Sequence, residues 1–240
     1  EKRINQDGSD LGIHLGQIFY VLNTPREKRQ TNTDEHLIKF PYINGGIFSE
    51  NLSPISLDVT AYLKLLKCCE FDWSGISASI FGSPCQGVID EKSRRQLGAH
   101  YTSELNILKV IHPLFLDELY IEFDKAKHDK KKLEKFHEYL TALNFLDPAC
   151  GCGNFLVTSY RELRRLELEV LKKLRKDNKM VLFGAEDISK INVNQFYGIE
   201  IEEFPSLVAR TAMYLVDHQM NMELSQEFGQ SYARIPLREP

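Results

Sequence analysis

Apolar residues recur at helical spacing from Ile13 to Asn23, and the polar run from Pro25 to Glu35 predicts a loop after them. Pro41 and Gly45-Gly46 mark another irregular connection. Leu57 to Cys69 predicts a helix with Val59, Leu63, Leu66 and Cys69 near one face, and Trp73 with Ile76 to Phe81 suggests a second. Ser83 to Arg95, rich in Gly, Pro and charge, is the expected junction. From Thr102 a helix is well signalled: Thr102 as its cap, Glu104 in the first turn, and Leu105, Leu108, Ile111 and Phe115 as its stripe. Pro113 should bend or divide it. Asp124 to Lys135 is strongly charged, and its lysines are interleaved with acids, which reads as a solvated helix face continuing to Leu143, with DNA binding as the alternative. A strand is expected at Asn144 to Asp147, a long amphipathic helix from Asn154 to about Lys176, and a second short strand at Asn194 to Glu200. Another amphipathic helix, Glu203 to Met220, carries Leu207, Val208, Thr211, Leu215 and His218. The order strand, helix, strand, helix is the opening of a doubly wound α/β sheet. The expected organisation is a mainly helical segment over residues 1–90, followed by an α/β unit over residues 91–240.

Chemistry concentrates at the first strand–helix junction. FLDPACGCGNF (Phe145 to Phe155) runs from an apolar strand through an acid and a glycine turn into a helix, the shape of a nucleotide-type site at the carboxyl end of a parallel strand. Gly151 and Gly153 allow a tight bend and a close approach to a ligand. A carboxylate at Asp147 repels a pyrophosphate but suits an ammonium or hydroxyl donor, which points to S-adenosylmethionine rather than NAD or ATP. The same glycines would also serve a tight turn with no ligand. Glu200, at the tip of the second strand, has the position from which an acid accepts both hydroxyls of a ribose; a surface glutamate is the alternative. The interval from Asp147 to Glu200 is longer than the roughly twenty residues of a dinucleotide fingerprint. An elongated first helix and an insertion over Asp177 to Val193 would account for it.

FLDPACGCGNFLVTSYRELRRLELEVLKKL (Phe145 to Leu174) resembles the first motif of amino-methylating DNA methyltransferases, and more narrowly that of the MmeI-like type IIG enzymes. RRQLGAHYTSELNILKVI (Arg94 to Ile111) and NQFYGIEIEEFPSLVARTAMYLVDHQMN (Asn194 to Asn221) match further motifs in the family's order. FPYINGGIF (Phe40 to Phe48) is similar to the segment joining its helical spacer to its methyltransferase domain. The resemblance implies an incomplete Rossmann-like methyltransferase sheet of which only the first strands are here. The cofactor residues it implies are Tyr101, Thr102, Asp147, Ala149, Gly151, Gly153, Asn154, Phe155, Glu200 and Ile201. Tyr101 and Thr102 would fold over the methionine end, although Thr102 could simply cap its helix. Ile201 would lie against the adenine, unless it is a core residue. His100 reads as structural.

An Asn/Asp-Pro-Pro-Tyr/Phe element, which in amino methyltransferases positions the exocyclic amine of a flipped base, does not occur in the 240 residues. The implied reaction, methyl transfer from S-adenosylmethionine to adenine N6, is therefore not expected of this chain by itself. Cytosine N4 remains the alternative amine. A non-catalytic scaffold derived from a methyltransferase is the rival class; an NAD-dependent enzyme is disfavoured by Asp147 and by the missing third glycine of the fingerprint.

Composition narrows the remaining choices. A net charge of −4 is too acidic for a surface that holds DNA unaided, so contacts to double-stranded DNA are expected mostly from parts outside this sequence. Cys68, Cys69, Cys85, Cys150 and Cys152 are odd in number, and none is paired with histidines at zinc-ligand spacing. No metal is expected, because the Cys150-x-Cys152 pair without further ligands cannot close a tetrahedral site. Cys152 stands where serine is commoner in methyltransferases and keeps the turn small. No run of eighteen apolar residues and no signal peptide are present, and a reduced cytoplasm is the expected location. The chain opens at Glu1 rather than Met and reads as an excerpt of a longer protein.

Overall fold

A computed structural model describes residues 4, 5, 7–43, 48, 57–73, 76, 102–176 and 189–229. The chain divides into two compact units between Gly75 and Ile76. Most of the second helix expected after Trp73 and the whole of the junction at 83–95 lie outside the described residues.

The first unit contains α1 (Leu11–Asn23), a 3-10 turn (Arg26–Lys28), α2 (Glu35–Ile38) and α3 (Val59–Glu70). Asp34 and Asp58 cap α2 and α3, their carboxylates accepting from the backbone N–H groups of His36 and Ala61. The polar loop after α1 is cross-braced: the Arg29 guanidinium donates to the carbonyls of Val21, Thr24, Ile38 and Phe40. Leu11, Val21, Leu22 and Tyr62 are buried. The stripe expected on α3 is not its inner face, since Val59, Leu63 and Cys69 are exposed. Tyr62 turns inward instead, because Gly8 leaves room for it: a Cβ on Gly8 would stand 3.1 Å from the Tyr62 Cβ.

The second unit runs α4 (Glu104–Ile111), a π turn (His112–Leu116), α5 (Asp117–Ala126), α6 (Lys130–Ala142), β1 (Phe145–Asp147), α7 (Asn154–Lys176), a 3-10 turn (Val193–Gln195), β2 (Phe196–Gly198) and α8 (Glu203–Phe228). Pro113 lies in the π turn, where its missing N–H breaks the regular ladder as expected. Thr102 does not cap α4. Ser103 holds that position with an extended backbone and no side-chain cap bond, while Glu104 accepts from Arg161 of α7 at 2.8 Å. That anchor rotates the helix, so Ile107 and Ile111 are buried and Leu105 is 67% exposed. The charged run is not one helix either. It breaks after α5, and the Asp129 carboxylate caps α6 by accepting from the Lys132 N–H.

Among the described residues the fold is mostly helical with one two-stranded parallel sheet, in the register Phe145↔Phe196, Leu146↔Tyr197, Asp147↔Gly198. The inner face is aromatic. Phe115, Phe145, Phe196 and Tyr160 form a run with centroid spacings of 4.9, 4.8 and 5.2 Å. This run sits in a core with Leu140, Leu156, Leu163, Ala212 and Met213. Leu146 and Tyr197, on the other face, are exposed. No described helix is long and apolar enough to cross a membrane.

Candidate functional site

Past the paired strands the two segments stay joined. The Ile199 N–H donates to the Asp147 carbonyl (2.9 Å), and the Cys150 N–H donates to the Ile199 carbonyl (3.0 Å). The glycine turn, 148–153, and the loop 199–202 therefore lie side by side. Each acid folds onto the amide two residues ahead. The Asp147 carboxylate accepts from the Ala149 N–H, and the Glu200 carboxylate from the Glu202 N–H, both at 3.0 Å. The second oxygen of each has no hydrogen-bond partner among the described residues. Both carboxylates bear on the same thiol. Burial first, then the charges of Asp147 and Glu200, push Cys150 up to about 11, so its sulfur stays protonated and neutral.

The other expected residues are placed as follows. Gly151 has φ +53°, and no described residue lies within 4 Å of where its Cβ would be, so the turn is open on that side. Gly153 has φ +81°, and its Cβ would stand 2.9 Å from the Ala209 Cβ of α8. Its N–H donates to the Cys150 carbonyl at 2.8 Å. Asn154 opens α7, and Phe155 packs on Ile107, Ile111 and Leu116. Ala149 is exposed, and Ile201 is 88% exposed, which excludes a core role for it. Thr102 is half-buried one residue ahead of the α4 N-cap. Tyr101 lies outside the described residues.

Two features escaped the sequence reading. Gly198 leaves room for Cys150, since a Cβ there would come within 2.7 Å of its sulfur; the only signal was its place between the strand and Glu200. The other is a buried ionic network behind the turn. On α7, the Glu167 carboxylate accepts from Ser189 Oγ (2.7 Å), from the backbone N–H groups of Lys190 (2.7 Å) and Ile191 (3.1 Å), and from His137 Nε2 (2.8 Å). Arg164, 3.3 Å from Glu167, donates to Asp217 (3.0 Å) and Asn221 (2.9 Å) of α8 and to the Tyr160 hydroxyl (2.7 Å).

Comparison with known proteins fits this arrangement. The family description "MmeI, DNA-methyltransferase domain" matches residues 123–240, and "MmeI, helicase spacer domain" matches residues 1–48. DNA methyltransferase A of Bacillus subtilis (strain 168) is 40% identical over 223 residues, which are 92% of this chain and 25% of that protein. A solved structure of the type IIL restriction-modification enzyme MmeI in complex with DNA is 58% identical with a TM-score of 0.92, covering 98% of this chain and 31% of the other. The chain thus spans a quarter to a third of the length of these relatives. On these matches the chain belongs to the MmeI family and carries sequence of its DNA-methyltransferase and helicase spacer domains.

Proposed function

We propose that residues 91–240 are the cofactor-binding half of an S-adenosylmethionine-dependent DNA methyltransferase domain, built on the first strands of a Rossmann-like sheet and preceded by a helical spacer segment, 1–90. The observation that carries the reading is the pair of carboxylates, Asp147 at the tip of one of two adjacent parallel strands and Glu200 just past the other, with a glycine turn beside them. The residues fit the cofactor. The Asp147 oxygen without a partner among the described residues suits the methionine ammonium, the Glu200 carboxylate suits the ribose hydroxyls, and the exposed Ile201 offers an apolar face to adenine. Gly151 admits close approach, while Gly153 and Asn154 shape the turn and start α7. Ala149 lines the turn, Phe155 ties it to α4, and Thr102 and Tyr101 belong to the element expected at the methionine end.

S-adenosylmethionine bound there supplies an activated methyl group. This chain's part is to bind and orient it, and orientation accounts for most of the rate in such transfers. The substrate is double-stranded DNA and the acceptor is N6 of a flipped adenine. DNA in the solved MmeI relative supports the partner, and the family motifs support the amine. Because the amine-positioning tetrapeptide is absent from the sequence, this chain alone is inactive.

Titration calorimetry with S-adenosylmethionine and with its demethylated product, on this chain and on Glu200→Ala, tests the reading. Each hydrogen bond to the charged acceptor is worth about 1.5–3 kcal/mol, so the variant should bind at least tenfold more weakly. Equal affinity in both would exclude Glu200 from the ribose, and no binding by the unmodified chain would favour a scaffold.

A further inference from the structure

Loop 199–202 has two arms, and both are held by one helix. The incoming arm, residues 189–191, is bound through its Ser189 hydroxyl and the amides of Lys190 and Ile191 to the Glu167 carboxylate. The outgoing arm is α8, which starts at Glu203 and is bound through Asp217 and Asn221 to the Arg164 guanidinium. Arg164 and Glu167 occupy adjacent turns of α7, the helix that begins at the glycine turn. Among the described residues the sheet joins three residues of each of two strands, a pairing too short to set this geometry unaided.

We propose that Arg164 and Glu167 are positioning residues of the cofactor half-site: by gripping both arms of loop 199–202 they fix Glu200 against the glycine turn. The proposal rests on the half-site reading given above. An apolar contact at these positions would bury the helices equally well but would tolerate sliding. Planar guanidinium and carboxylate groups, each bonded to several named partners, admit one arrangement. Arg164 and Glu167 are 3% and 1% exposed, so neither is available to a ligand and each acts only through what it holds.

Amide hydrogen exchange reads the juxtaposition directly, because the Ile199 and Cys150 N–H groups make the two bonds that join loop to turn. In Glu167→Gln, with far-UV circular dichroism unchanged, these two amides should exchange at least tenfold faster while those of α4 and α5 stay within twofold. Affinity for S-adenosylhomocysteine, measured by calorimetry, should fall at least fivefold. Wild-type exchange at Ile199 and Cys150 in the folded variant overturns the proposal, as does faster exchange with unchanged affinity. If Glu167→Gln does not fold, Ser189→Ala and Asn221→Ala, each removing one grip, decide by the same two amides. Failure of the unmodified chain to bind S-adenosylhomocysteine overturns the half-site reading itself; binding that the variants leave untouched overturns only the positioning role.

Discussion

Gly151, Gly153 and Gly198 share one hydrogen-bonded patch, yet a methyl group on each would meet different surroundings. At Gly151 the space is open and only the left-handed backbone resists, so Gly151→Ala should lower stability by about 1–2 kcal/mol. At Gly153 the same backbone conformation is joined by a 2.9 Å clash with Ala209. Gly153→Ala should therefore lose about 2–4 kcal/mol. Gly198→Ala strikes a sulfur, and Cys150→Ala made alongside it should recover part of the loss. Urea midpoints for these variants test the ranking, and equal losses at 151 and 153 would contradict it. The sequence showed the glycine turn and both acids through spacing and residue type. It did not separate a glycine that leaves room for a ligand from one that leaves room for a neighbouring helix, because Ala209 lies 56 positions away from its partner in the sequence.

At the scale of elements, α7 runs over the span its pattern predicted, Asn154 to Lys176, and the two strands fall inside their expected segments. The legible part was periodicity. The exposed end of α4 and the break before α6 were not legible, because an Arg161–Glu104 bond and an Asp129 cap decide them, not hydrophobic spacing. Glu167 looked like one charge among many on a basic helix. Its phase was the available signal: it follows Tyr160 and Leu163 at helical spacing and precedes Val170, all three fully buried. Burial by itself would raise the Glu167 carboxyl, but the bonds from His137 and Ser189 and the charge of Arg164 outweigh it and hold the group below the usual glutamate range. A carboxyl lowered in the folded state contributes stability above its unfolded value and loses it as pH falls through the folded one. Stability should therefore drop below about pH 4, and Glu167→Gln, weaker at neutral pH, should show a shallower acid slope in urea titrations.

For the molecule as a whole, a net charge of −4 gives little long-range attraction to phosphate. The lysines at the end of α5 and just after it are partly engaged, Lys125 with Glu122 and Lys127 with Asp124. Binding to mixed-sequence duplex should be weak and should fade steeply with salt in a fluorescence titration. With tritiated cofactor and the same DNA, incorporation by the purified chain should stay at background. Counts above it would place the amine-positioning residues inside these 240 positions and undo the half-domain reading. In the first unit, the Arg29 fork has a practical side. The stretch from Thr24 to Phe40 has the composition of an open linker, yet one side chain fastens three of its carbonyls and one of the helix before it. Trypsin should be slow to cut after Arg26, Lys28 and Arg29 in the intact chain, and in Arg29→Ala the first two sites should be nicked early. A segment whose composition reads as a seam between domains is held along its length by a single guanidinium.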